Sequence, residues 1–209
     1  MLNCSLCGSS TLPFCEAHSR NYWRCNNCAL VMLAPEHFLS PQAEKQRYLE
    51  HNNDPEDPRY QQFVSPIVHK VKANFTVEHK GLDFGAGTGP VITELLTDSG
   101  YRVELYDPFF HNYPTKLTRK YDYVICCEVI EHFQQPAVEF TRLRDMLNPG
   151  GAILCMTELY ADDTDFASWY YIKDPTHVIF YHRRSLAWIK WAFNFSQLAI
   201  NRRLIELWA

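Results

Sequence analysis

Gly81-Leu82-Asp83-Phe84-Gly85-Ala86-Gly87-Thr88-Gly89 is an apolar lead-in carrying one acid, followed by three alternating glycines. The pattern reads as a strand that ends in a tight, side-chain-poor turn, where backbone can approach a ligand closely. Asp83, two residues before the first glycine, sets the charge of that ligand. A pyrophosphate favours helix-terminal amides with no anion nearby, whereas an acid here suits a cation. The dinucleotide fingerprint G-x-G-x-x-G would also need glycine at position 90, and the chain has Pro90, a residue suited to the first turn of a helix.

Outward from the turn, Val91, Ile92, Leu95 and Leu96 mark one face of a helix that Gly100 ends. Tyr101 to Tyr106 reads as a second strand, finishing in Asp107-Pro108. An acid about twenty residues past the glycines, at such a strand end, can bridge two ribose hydroxyls. The strand Tyr121 to Cys126 leads into Cys127-Glu128-Val-Ile-Glu131-His132-Phe133, where a helix is expected to start and to place positions 128, 131 and 132 on one face. Two carboxylates and an imidazole there suit a divalent cation, a general base, or the positive end of the helix itself. Leu143, Met146 and Leu147 close that helix, and Asn148 to Gly151 turns into a strand from Ala152. Glu158 to Arg184 is aromatic and irregular, with Trp169 and Tyr170 suited equally to a substrate pocket wall and to core, and His177 to the site or to core. Ser185 is expected to cap a last amphipathic helix, and Gln197 to Ile200 pairs with Leu204 to Trp208 in a closing hairpin.

Asp83-x-Gly85-x-Gly87-x-Gly89 resembles motif I of class I S-adenosylmethionine-dependent methyltransferases. The resemblance implies an α/β, Rossmann-like methyltransferase sheet over residues 76–209. In it Asp83, Gly85, Gly87, Gly89 and Glu128 would contact the cofactor beside its methionine part, and Asp107 its ribose. Glu128-x-x-Glu131-His132 is similar to a motif of ubiquinone-pathway O-methyltransferases and small-RNA terminal 2′-O-methyltransferases that is associated with a divalent metal. On that likeness Glu128, Glu131 and His132 would hold a second metal, and the segment around His177 would face the active site. One departure stands out: only thirteen residues separate Asp107 from Tyr121, where the family places a helix and a third strand. The shortened region falls on an edge strand whose end commonly contacts adenine, and Phe109, Phe110, His111 or Tyr113 would substitute by stacking.

The N-terminal residues 1–35 carry Cys4-x-x-Cys7 and Cys25-x-x-Cys28, a spacing at which four thiolates close around zinc. A disulfide alternative needs an oxidising compartment that nothing else in the chain supports. Gly8 permits the left-handed turn after the first knuckle, and Ala29 fits the second less well. Cys15 and His18 are spare ligands. A closed four-cysteine site is structural, and the ribbon would recognise substrate, dock a partner or cap the larger domain. Cys126, Cys127 and Cys155 read as inert core. Residues 36–75 form a helical connector: Ser40-Pro41 starts a polar helix, and Asp57-Pro58 caps a second one through Phe63, Ile67, Val68 and Val71, interrupted or kinked at Pro66. The loop His51 to Asp54 between them is a candidate cover for the site.

A chain of 209 residues with 46% hydrophobic and 14% aromatic content can bury a real core. It has no bilayer-length apolar run and no signal-like start, so a soluble, cytoplasmic protein is expected. A formal net charge of -4 without a basic stripe disfavours nucleic acid as a partner. The function these features favour is S-adenosylmethionine-dependent methyl transfer to an oxygen, nitrogen or carbon of a small-molecule acceptor, with Glu128, His132 and His177 as candidate bases. The alternatives are an RNA methyltransferase that grips RNA with the zinc ribbon, and a cofactor-binding module without turnover.

Overall fold

The computed structural model describes residues 2–50 and 54–209. Its main sheet has six strands: β4 (Lys80–Phe84), β5 (Arg102–Tyr106), β6 (Tyr121–Cys127), β7 (Leu147–Met156), β9 (Gln197–Asn201) and β10 (Leu204–Trp208). Their order is β5-β4-β6-β7-β10-β9. The first four run parallel, and β10 lies antiparallel between β7 and β9. Both faces are covered, which is why β6 reads as a continuous apolar run. On one face, Val124 and Cys126 meet Phe140 and Leu143 of α4 (Pro136–Asp145) and Leu186 and Ile189 of α5 (Arg183–Ala192). On the other, Tyr123 and Ile125 meet α2 (Pro58–Asn74) and α3 (Val91–Thr97) through Val64, Ile67, Val71, Ile92 and Leu96.

The shortened stretch after β5 contains a 3-10 turn, Pro114–Thr118, and no strand, so β5 is an edge. Charge and a side-chain donor blunt that edge: Lys80 and Arg119 pair with Glu104, and Lys116 Nζ donates to the Leu105 carbonyl.

The N-terminal segment forms a second sheet, β1 (Thr11–Ala17), β2 (Arg20–Cys25) and β3 (Val31–Leu33), completed by β8 (Ile179–Phe180) from the far end of the chain. α1 (Pro41–Leu49) is capped by Ser40 as the sequence suggests, and α2 by Asp57. α2 runs on through Pro66 without a break. The expected covering loop has its residues 51–53 outside the described part of the chain. No helix among the described residues is long and apolar enough to cross a membrane.

Three local expectations are corrected. The helix expected at Glu128 does not start there, because Glu128 sits at φ +51°, outside right-handed helix space. A 3-10 turn at Ile130–His132 follows instead, and α4 begins only at Pro136, a residue fitted to a first turn. Leu147 opens β7 rather than closing α4. The cap of α5 is His182, whose Nδ1 accepts from the Arg184 amide, while Ser185 Oγ accepts from the His182 amide three residues upstream.

Gly81 lets β4 pass beneath Tyr123: a Cβ there would lie 2.1 Å from the Tyr123 ring. Gly81→Ala should therefore cost about 1–3 kcal/mol by overpacking, read as a lowered urea midpoint. An unchanged midpoint would show that the ring can move aside.

Candidate active site

A cavity of about 590 Å³ opens at the carboxyl ends of β4, β5 and β6, where open parallel sheets bind ligands. One wall is the glycine turn. Gly85 lies at φ +83°, and a Cβ on it would come within 2.5 Å of a Val129 methyl, so both backbone conformation and packing require glycine. Gly87 lies at φ +63° with open space where a side chain would be, and Gly89 lines the same wall. Asp83, buried beneath the turn, accepts a hydrogen bond from Thr93 Oγ1 at 2.8 Å. Burial pushes its carboxyl up to about 6 against that donation.

Asp107 directly follows β5 and binds the turn to it. One carboxylate oxygen accepts from the Gly87 amide at 3.0 Å, the other from the Phe109 and Phe110 amides at 2.8 and 3.0 Å. Of the four aromatic residues proposed for adenine, Phe109 and Phe110 line the cavity; His111 and Tyr113 are not among its lining residues.

The opposite wall carries Glu128, His132 and His177. Glu128 is turned by its left-handed backbone and held by its amide donating to the Met156 carbonyl at 2.8 Å. Behind it Glu131 is fully buried, and the two share Tyr171, whose hydroxyl lies 2.5 Å from Glu131 Oε1 and 3.1 Å from Glu128 Oε2. Arg203 donates to Glu128 Oε2 at 2.7 Å and pairs with Glu158 at 3.0 Å. Each carboxylate keeps one buried oxygen, Glu128 Oε1 and Glu131 Oε2, that has no hydrogen-bond partner among the described residues. His132 Nδ1 donates to the Thr176 carbonyl at 2.9 Å and His177 Nδ1 to the Tyr171 carbonyl at 2.8 Å. Both rings are thereby fixed in the tautomer whose Nε2 carries a lone pair.

Glu131, His132 and His177 bring ligand atoms within 4.8 Å of one another. The sequence grouping of Glu128, Glu131 and His132 thus changes by one member: His177 joins the cluster, and Glu128 stands beside it as the partner of Arg203. Burial, with mutual repulsion, pushes Glu128 up to about 8, and burial pushes Glu131 up to about 7; burial also lowers His132.

Cys4, Cys7, Cys25 and Cys28 also converge, with all four sulfurs within 4.8 Å of one another and pairs at 3.7 and 3.3 Å. A tetrahedral zinc–thiolate site has S–S edges of about 3.8 Å, close to these. The Cys28 thiol draws Cys4 down to about 5 and is itself pushed well up. Cys15 and His18 lie outside the cluster, on β1 and in the following turn. Ala29, at φ +58°, takes the left-handed turn that glycine takes at Gly8.

Sequence reasoning missed Tyr171, Arg203 and Tyr48 as site residues. Tyr48 comes from α1 and sets its ring edge-on to His132 at 5.4 Å and beside Phe109 at 5.8 Å. Arg203 lay in the hairpin Asn201 to Arg203. Pairing Leu204 with Met156 would have pointed to it, because Met156 is the residue that receives the Glu128 amide.

Residues 40–200 match the profile of a family described as a methyltransferase domain, and the chain belongs to that family. No curated protein matches it in sequence. Solved structures share its fold, three of which illustrate the likeness. Human N-acetylserotonin methyltransferase, solved in complex with S-adenosylmethionine, is 12% identical, with a TM-score of 0.55 over 80% of this chain and 56% of that one. An S-adenosylmethionine-dependent methyltransferase from Archaeoglobus fulgidus is 16% identical, with a TM-score of 0.53 over 66% of this chain and 70% of that one. An O-methyltransferase family protein from Burkholderia thailandensis is 16% identical, with a TM-score of 0.50 over 79% of this chain and 61% of that one. The chain thus spans less than two thirds of the length of the first and third.

The raised acids give a pH dependence of known sign. In the unfolded chain Glu131 loses its proton near 4.5, while the folded site holds it to about 7. Its contribution to stability is complete below the unfolded value and is lost as pH rises through the folded one. Relative to Glu131→Gln, the metal-free wild type should lose urea midpoint between pH 5 and pH 8; a relative gain over that interval contradicts the assignment.

Proposed function

We propose that the protein transfers a methyl group from S-adenosylmethionine to a small-molecule acceptor bound in the same cavity. The observation that carries this reading is the convergence, around one volume of about 590 Å³, of the Asp83–Gly89 turn and Asp107 on one side and Glu128, His132 and His177 on the other, with the buried Glu131 within 4.8 Å of the two histidines' ligand atoms. That size suits a cofactor and a modest acceptor.

S-adenosylmethionine supplies a methyl group already activated by its sulfonium. Asp83 and the glycine turn contribute a negative, closely approachable wall for its cationic part; Asp107, fixed by three amides, presents its remaining lone pairs to the ribose. Phe109 and Phe110 offer stacking for adenine in place of the lost strand end. Such a transfer asks chiefly for alignment and exclusion of water. An acceptor hydroxyl or amine must also lose a proton, and Glu128, His132 or His177 would take it.

Glu131, His132 and His177, with ligand atoms within 4.8 Å of one another and both imidazole Nδ1 atoms engaged with carbonyls, fit a divalent cation. Glu131, His132 and His177 would hold it, with Glu128 adjacent, and it would supply orientation and acidification of an acceptor oxygen. The four cysteines fit a structural zinc, with no open coordination position and no part in the chemistry.

Calorimetry with S-adenosylhomocysteine tests the cofactor half. Asp107→Ala should weaken binding at least tenfold, and Gly85→Ala should do the same through its clash with Val129; equal affinity in all three proteins would remove the basis of the reading. For the ribbon, elemental analysis should find one zinc per chain, lost in Cys28→Ser; a folded wild type without zinc excludes the structural-zinc assignment.

A further inference from the structure

The ribbon is joined to the acceptor side of the cavity by a chain of hydrogen bonds. β3 begins three residues after Cys28 and pairs with β8, Val31 opposite Phe180 and Met32 opposite Ile179, with all four side chains buried. At the end of that ladder the Leu33 amide donates to the Val178 carbonyl at 2.8 Å, and the Val178 amide donates to the Glu131 carbonyl at 3.0 Å. On the other side of β8, the Tyr181 hydroxyl donates to the Ile130 carbonyl at 3.0 Å. The turn carrying Glu131 and His132 is therefore held at two points by the strand that β3 holds. His177 immediately precedes that anchored residue.

The second knuckle is gripped from the catalytic domain as well. Ser185 Oγ donates to the Cys28 carbonyl at 2.9 Å, Arg184 to the Asn27 carbonyl at 2.8 Å, and the Tyr160 hydroxyl to the Ala29 carbonyl. From β2, Arg20 donates to the Ile172 carbonyl at 2.6 Å, one residue past Tyr171, whose carbonyl and hydroxyl hold His177 and Glu131. Tyr22 packs on Phe180 and Phe166 at 5.7 and 5.2 Å between ring centres, so these bonds lie in a shared apolar core. Among the described residues the glycine turn and Asp107 make no such bonds to the ribbon: their hydrogen-bond partners include one another, Thr93, Tyr106, Phe109, Phe110 and His111.

We propose that the zinc ribbon is a positioning element of the acceptor site, its metal-closed second knuckle fixing β3 and β8 and through them Glu131 and His177. The proposal rests on the structural-zinc reading above and assigns the ribbon to the site's own architecture rather than to gripping a separate partner. Its role is mechanical, with no ligand of its own beyond the metal.

The test is backbone hydrogen exchange of the full chain with and without its zinc, stripped by a chelator with a thiol reagent, alongside calorimetry with S-adenosylhomocysteine. The expected result is at least tenfold faster exchange at the amides of Val178 to Phe180 and His132 to Phe133, unchanged exchange in β4 and β6, and cofactor-product affinity within threefold. Unchanged exchange at residues 178–180 in zinc-free protein overturns the proposal. So does loss of protection throughout β4 and β6, which would make the ribbon a support of the whole fold. Arg20→Ala separates the two readings, since it keeps every cysteine. If the wild type as purified, before any chelator, contains no zinc, the metal assignment fails, and faster exchange at residues 172–178 in Arg20→Ala still supports the positioning role, while unchanged exchange there overturns it.

Discussion

The carboxyl edge of the sheet is organised around one buried acid. Glu131 has no solvent exposure, and its position is fixed by the Tyr171 hydroxyl on its side chain and the Val178 amide on its backbone. A carboxylate taken out of water must find a cation, a donor or a proton. One oxygen has Tyr171; the other has no hydrogen-bond partner among the described residues, and the side chain lies within 4.8 Å of the His132 and His177 ligand atoms. A cation bound beside it would offset a cost the fold has already incurred.

The two halves of the cavity are built by different physics. The half around the glycine turn consists of backbone amides, glycine conformations and two short acids, all within the segment from β4 to the residues just after β5. It is local in sequence and rigid because few side chains take part. The half that faces it draws on α1, the turn after β6, residues 171–177 and the final hairpin, brought together through Tyr48, Tyr171 and Arg203. It depends on long-range packing, and on the ribbon sheet to which β8 belongs.

This difference explains what the sequence could and could not tell. The glycine turn, the acid at the end of β5, the shortened edge and the cysteine knuckles were legible because each is a local pattern with one cheap conformational solution. The helix imagined at Glu128 failed because an acidic, apolar-spaced run looks helical, whereas Glu128 takes φ +51° and the helix waits for Pro136. Glu131, His132 and His177 still converge, since a 3-10 turn brings the first two beside a segment that β8 anchors. Tyr171 was visible only as one of a run of aromatics, and Arg203 only as part of a turn; their roles depend on partners 40 and 75 residues away.

The proposed function requires donor and acceptor chemistry to share one cavity. A crystal structure grown with S-adenosylhomocysteine and manganese, with anomalous data at the manganese edge, is the sharpest test. The expected result is the homocysteine sulfur between the Gly85–Gly87 turn and the far wall, and an anomalous peak coordinated by Glu131, His132 and His177. Cofactor product bound away from the glycine turn, or a cavity in which those three side chains face elsewhere and bind no ion, would contradict it.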